Sequence, residues 1–257
     1  TVSNTGHQDG FLVKISPTGQ VLWGATLRGS SNDGINGVTV DPSGNPIVSA
    51  QFNGCCPSSF AGTVFGTTNS LGISSFGINY STGAVIKFNS SGAVQWAARI
   101  YNRDVSTGGI TTDAAGNIYA TSSFRSWSSG TAAQVYDGLN AVNTLFNPGI
   151  GLGYMIKLAP NGAWQWGVTF GNAGDGVNTL TSGTDIALDG SGNVWLSGQY
   201  SGANATFYST SGSNLSGPSS TGNRGFVAKY SPSGQALAVN TLQQTAGNST
   251  QFWGIAI

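Results

Sequence analysis

With 257 residues the chain is long enough for one all-β domain with a large core, and we treat 1–257 as a single domain. Only 7% of residues are charged, the formal net charge is +0 and every acid is an aspartate, so no clustered basic footprint for nucleic acid or an anionic membrane surface is present. Abundant Trp, Tyr and Phe argue against disorder, and no apolar run approaches the length of a membrane span, which excludes direct membrane insertion by a helix.

Residues 1–10 form a polar lead-in. Because the chain begins at Thr1, inside a repeat and without an amino-terminal signal pattern, we read it as processed or as a piece of a longer protein. Residues 11–15 are a short β-prone run, Pro17-Thr18-Gly19 a turn, and 21–27 a second run centred on Trp23, which together predict a hairpin. A loop at 30–34 leads to a third strand at 37–41, a turn at 42–45 and a fourth strand at 47–52. An insert follows at 53–82 and holds the adjacent Cys55 and Cys56. The pattern then returns: hairpin 84–100 and strands 109–113 and 118–124, insert 125–153; hairpin 154–170 and strands 185–189 and 194–200, insert 201–225; hairpin 226–242 and a last strand at 253–257.

Lys14, Lys87, Lys157 and Lys229 occupy equivalent places 73, 70 and 72 residues apart, so the units begin near 11, 84, 154 and 226. A repeated four-stranded antiparallel sheet cannot bury both faces alone and must stack on its neighbours; radial stacking makes a β-propeller. The expected fold is therefore an all-β propeller of four-stranded blades with three complete blades (37–100, 109–170 and 185–242). One split, incomplete blade would be made of 11–15, 21–27 and 253–257. A β-sandwich is the competing architecture, but it does not predict near-identical hairpins at this interval. Short turns are expected on one rim, and the long inserts with the loops of Asp33, Asp104 and Asp175 on the other.

The run Gly225-Phe226-Val227-Ala228-Lys229-Tyr230-Ser231-Pro232-Ser233-Gly234-Gln235, the Trp in the next strand of three units, and Asp41-Pro42-Ser43-Gly44-Asn45 or Asp189-Gly190-Ser191-Gly192-Asn193 before the fourth strand resemble the SBBP type of β-propeller repeat. That repeat occurs in large secreted and surface proteins of bacteria. The likeness spans nearly the whole chain apart from the inserts, while the Trp is lost at Ala238 and Pro46 opens a strand. The resemblance implies a fold and an extracellular or cell-surface location; it carries over no catalytic residue.

Chemistry is expected on the insert face, since loops on a rigid scaffold carry function. Asp33, Asp104 and Asp175, which recur 17 to 19 residues after the repeat Lys, are candidates for binding a cation or sugar hydroxyls. Trp127, Tyr136 and Tyr208, with Phe65, are insert aromatics placed to stack on sugars. Asp41, Asp113 and Asp189 lack EF-hand spacing and read as turn residues whose carboxylates accept backbone hydrogen bonds. The lysines read as snorkelling stems or fixed ion pairs, and Trp23, Trp96 and Trp166 as packing. Cys55 and Cys56 read as small loop residues, with a strained vicinal disulfide as the sharper alternative. No metal site is expected from them, because His7 is the only histidine. N-glycosylation patterns stand at Asn79, Asn89, Asn204, Asn214 and Asn248.

No Ser-His-Asp, Cys-His or phosphate-cradling motif is present. The expectation is a non-enzymatic structural or interaction module without a cofactor, self-assembling through open strand edges with copies of itself or with neighbouring surface proteins. A lectin-like glycan binder is the alternative and a polysaccharide-acting enzyme the third reading.

Overall fold

The computed structural model describes residues 7–29, 31–53, 60–74, 81–126, 132–172, 181–201, 205–218, 223–242, 252 and 254–257. These are all-β, without a helix. In chain order the strands are β1 (Gly10–Ile15), β2 (Val21–Gly29), β3 (Gly34–Val40), β4 (Pro46–Asn53), β5 (Phe60–Phe65), β6 (Ser70–Ser74), β7 (Ser81–Phe88), β8 (Val94–Tyr101), β9 (Asp104–Val105), β10 (Ile110–Thr112) and β11 (Ile118–Arg125). They continue with β12 (Ala133–Tyr136), β13 (Val142–Leu145), β14 (Gly151–Leu158), β15 (Trp164–Gly171), β16 (Ser182–Leu188), β17 (Val194–Tyr200), β18 (Thr206–Phe207), β19 (Leu215–Ser216), β20 (Arg224–Tyr230) and β21 (Ala236–Thr241).

Antiparallel pairing groups them into four layers: β1-β2-β5-β6, β3-β4-β7-β8-β12-β13, β10-β11-β14-β15-β18-β19 and β16-β17-β20-β21. The second and third layers are joined into one sheet through β9, which lies against β11 and touches β7 at the single pair Ser81↔Asp104. Among the described residues no sheet closes on itself.

Period-two side-chain alternation explains the stacking. In β7, Ala84, Ile86 and Phe88 turn towards Ala25, Leu27 and Val64 of the first layer, whereas Val85 turns towards Ile118, Tyr154 and Ile156 of the third. A further cluster joins Met155, Val168 and Phe170 of the third layer to Leu196, Phe226 and Tyr230 of the fourth. Middle strands are covered on both faces, hence near-continuous apolar runs such as Ala84-Val85-Ile86.

Two expectations are corrected. Two layers have six strands, because each insert supplies a hairpin that pairs with the outer strand of the preceding layer: β5 with β2, β12 with β8 and β18 with β15. Antiparallel pairing carries the tips of these hairpins back across the sheet, so they lie beside the short turns and not on the opposite rim. Thr67, Gly138 and Thr210 donate their amides to the carbonyls of Gly92, Gly162 and Gly234 at 3.0, 2.8 and 3.0 Å. Residues 254–257 belong to no strand, and Ile255 N donates to the Asp185 side chain (Oδ2, 2.9 Å) in place of a strand carbonyl.

Candidate functional site

The repeated charged residues are built into the structure. Asp41 Oδ1 accepts the amides of Ser43 and Asn45, both at 2.9 Å, and Asp113 and Asp189 hold their turns in the same way. Lys87 Nζ reaches Asp41 Oδ2 at 2.9 Å and the carbonyl of Pro160, in the next layer, at 2.9 Å. Lys229 pairs with Asp189 at 3.0 Å and lies over the Trp195 ring. Burial pushes the Asp41 carboxyl up, but the hydrogen bonds from Lys87 and Asn45 outweigh it and hold it down at about 2. Asp189 is held low chiefly by the Asn193 side chain.

The same layer-to-layer contact recruits the tryptophans. Trp23 Nε1 and Lys14 Nζ share the Ser90 carbonyl at 3.0 and 3.1 Å, and Trp166 Nε1 and Lys157 Nζ share that of Pro232 at 3.2 and 3.3 Å. The indole rings cover turn glycines: a Cβ on Gly92 (φ +86°) would sit 2.7 Å from Trp23, and one on Gly234 (φ +84°) 3.1 Å from Trp166. Positive φ and the covering ring both demand glycine there.

The other sequence candidates do not converge. Asp33 is 5% exposed and lines a cleft with Asp9, while Asp104 lies in a separate cleft with Gln51 and Arg125 and approaches Arg103 at 3.8 Å. The Tyr136 ring is met edge-on by Tyr101 and covered by Arg99; the Tyr208 ring packs against Phe146. Asn89 Oδ1 accepts the amides of Ser91 and Ala93, and Asn214 Oδ1 that of Ser209. Asp175, Trp127, Cys55, Cys56, Asn79, Asn204 and Asn248 lie outside the described residues.

Sequence reasoning missed two acids. Asp137 is 3% exposed; its Oδ1 accepts the amides of Leu139 and Ala141, and its Oδ2 accepts Trp164 N at 2.9 Å, which fastens the second insert to the third layer. Asn69 makes the equivalent clamp on Val94, with Oδ1 to its amide and Nδ2 to its carbonyl. The available signal was a repeat within the inserts: Val64-Phe65, Val135-Tyr136 and Phe207-Tyr208, each followed by an Asn before the return strand. Asp137→Ala is expected to cost about 2 kcal/mol, because three amides lose their buried acceptor; amide exchange should accelerate first in β12 and β13. The second missed acid is Asp9.

The edges differ between layers. β4, β11 and β17 flank β7, β14 and β20, whereas β1 pairs with β2 alone among the described residues. On its uncovered face Phe11 and Ile15 are 65% and 58% exposed, while their equivalents, Ala84 and Phe88, Tyr154 and Leu158, and Phe226 and Tyr230, are buried. No protein-family model and no curated protein sequence matches this chain.

Proposed function

We propose that this chain is a β-propeller module of the SBBP type, secreted or surface-exposed, whose work is association and not catalysis. The serial stacking of layers supports the propeller reading. So does the close approach of their inner edges, where Asn36 bonds Thr107 and Gly109 N bonds the Thr184 carbonyl.

The observation that carries the association reading is the edge of β1 left open among the described residues, beside exposed Phe11 and Ile15. An unpaired edge next to an uncovered apolar face is a template for strand addition. Lys14 narrows the partner. Lys87 and Lys229 each meet an Asp from the turn that introduces the neighbouring strand, but in the first layer no described strand brings Lys14 such a carboxylate. The edge therefore suits a strand introduced by an Asp-x-x-Gly-Asn turn, donated by another repeat of this kind. The glycan reading has less support, because the rings of Tyr136 and Tyr208 are engaged within the chain.

The test is titration of the protein with a labelled peptide carrying residues 182–200. Saturable binding is expected, weakened about threefold to tenfold in the peptide with Asp189→Ala, the range of a partly exposed charge-assisted contact. Absence of binding, or binding indifferent to the protein change Phe11→Lys, would overturn the association reading.

A further inference from the structure

Where the lead-in to β1 meets the loop before β3, a cleft of about 600 Å³ is lined by Gln8, Asp9, Phe11, Asp33 and Ile35 among others. Asp33 is 95% buried by its 5% exposure, and its Oδ1 accepts Asn53 N at 3.0 Å. Its Oδ2 and both carboxylate oxygens of Asp9 are buried without a hydrogen-bond partner, and among the described residues neither acid is in an ion pair. Buried carboxylate oxygens are otherwise hydrogen-bonded or paired, since an uncompensated one is expensive. Four other aspartates are fully used: Asp41, Asp113, Asp137 and Asp189 each satisfy both oxygens.

The backbone that places these two acids is tied together. Asp33 N donates to the Gln8 carbonyl at 2.7 Å, Gln8 N to Asn32 Oδ1 at 3.1 Å, and Asn53 Nδ2 to the Asn32 carbonyl. The acids thus face each other from segments 24 residues apart that cannot easily separate. Two negative oxygen donors held at one cleft, with neighbouring backbone and amide oxygens, suit a hard cation that takes oxygen ligands in irregular numbers.

We propose that Asp9 and Asp33 form a binding site for a divalent cation, calcium above all, in this cleft. Bound there, the ion neutralises both carboxylates and fastens the start of β1 to the entry of β3, and so the first layer to the second. The site stands apart from the β1 edge reading and would survive its failure.

The experiment is calorimetric titration of chelator-treated whole chain with calcium chloride, beside thermal unfolding with and without the ion. One calcium per chain and a raised melting temperature are expected. Asp9→Asn and Asp33→Asn should each weaken calcium at least about tenfold, and Asp104→Asn should leave it unchanged. Among the described residues neither carboxylate oxygen of Asp9 has a hydrogen-bond partner, so Asp9→Asn stays informative if Asp33→Asn folds poorly. Without calcium, Asp9→Asn should be as stable as the parent or more so, which a carboxylate with a merely structural role would not allow. No calcium heat, or binding that both aspartate substitutions leave intact, would overturn the proposal.

Discussion

Phe226→Ala is expected to lower the free energy of unfolding by about 3–5 kcal/mol, the cost of emptying a large buried aromatic site. Phe226 is fully buried in β20, and its ring meets Phe170 of β15 at 5.5 Å, Phe207 of β18 at 4.9 Å and Tyr200 of β17 at 6.3 Å. It therefore joins the fourth layer, the outer strand of the third and the hairpin of the third insert in one cluster. The cavity cannot collapse cheaply, because the glycines around it are already filled: a Cβ on Gly198 would lie 2.6 Å from the Phe226 ring, and one on Gly153 would lie 1.9 Å from Phe170. Urea unfolding followed by tryptophan fluorescence measures the loss. The equivalent change at Phe11, 65% exposed, should shift the midpoint little, and equal losses at the two positions would contradict the assignment of buried and uncovered faces.

Lys87→Met should cost about 3 kcal/mol, at the lower end for breaking a buried ion pair, because Asp41 keeps its amide hydrogen bonds. The ammonium group at 10% side-chain exposure is fixed by Asp41 on its own layer and the Pro160 carbonyl on the next, and methionine replaces only the stem. Lys14→Met, which loses a carbonyl contact near the surface and no ion pair, should cost less than about 1 kcal/mol. The pair has a pH signature. Asp41 is held at about 2, below its ordinary 3.8, so its contribution is complete above that ordinary value and is lost as pH falls from about 4 through about 2. In Lys87→Met this acid loss should start from the same pH, be complete at higher pH and be smaller, which a urea series across that range would show.

Much of the framework was legible because it is local. The hairpin at 11–27 and its three returns follow from apolar runs of strand length around Gly turns, and the observed pairings Lys14↔Trp23, Lys87↔Trp96, Lys157↔Trp166 and Lys229↔Ala238 keep one register throughout. The roles read for Asp41, Asp113 and Asp189 also needed only five residues of context. What escaped is what needs a partner from elsewhere. β12 and β18 are too short and polar to announce themselves, and they are strands because β8 and β15 offer open edges. The tips of the insert hairpins were placed on the wrong rim for the same reason. Asp9 sits in a polar lead-in with no motif, and it meets Asp33 only because β1 starts where the loop before β3 passes.

The central claim is that β1 accepts a strand. Hydrogen exchange along Gly10–Ile15 tests it most directly, measured on the whole chain with and without saturating peptide of residues 182–200. The account predicts slower exchange of the β1 amides on the side away from β2, with Ala236–Thr241 unchanged. Unchanged exchange in β1, or protection confined to other edges, would contradict it.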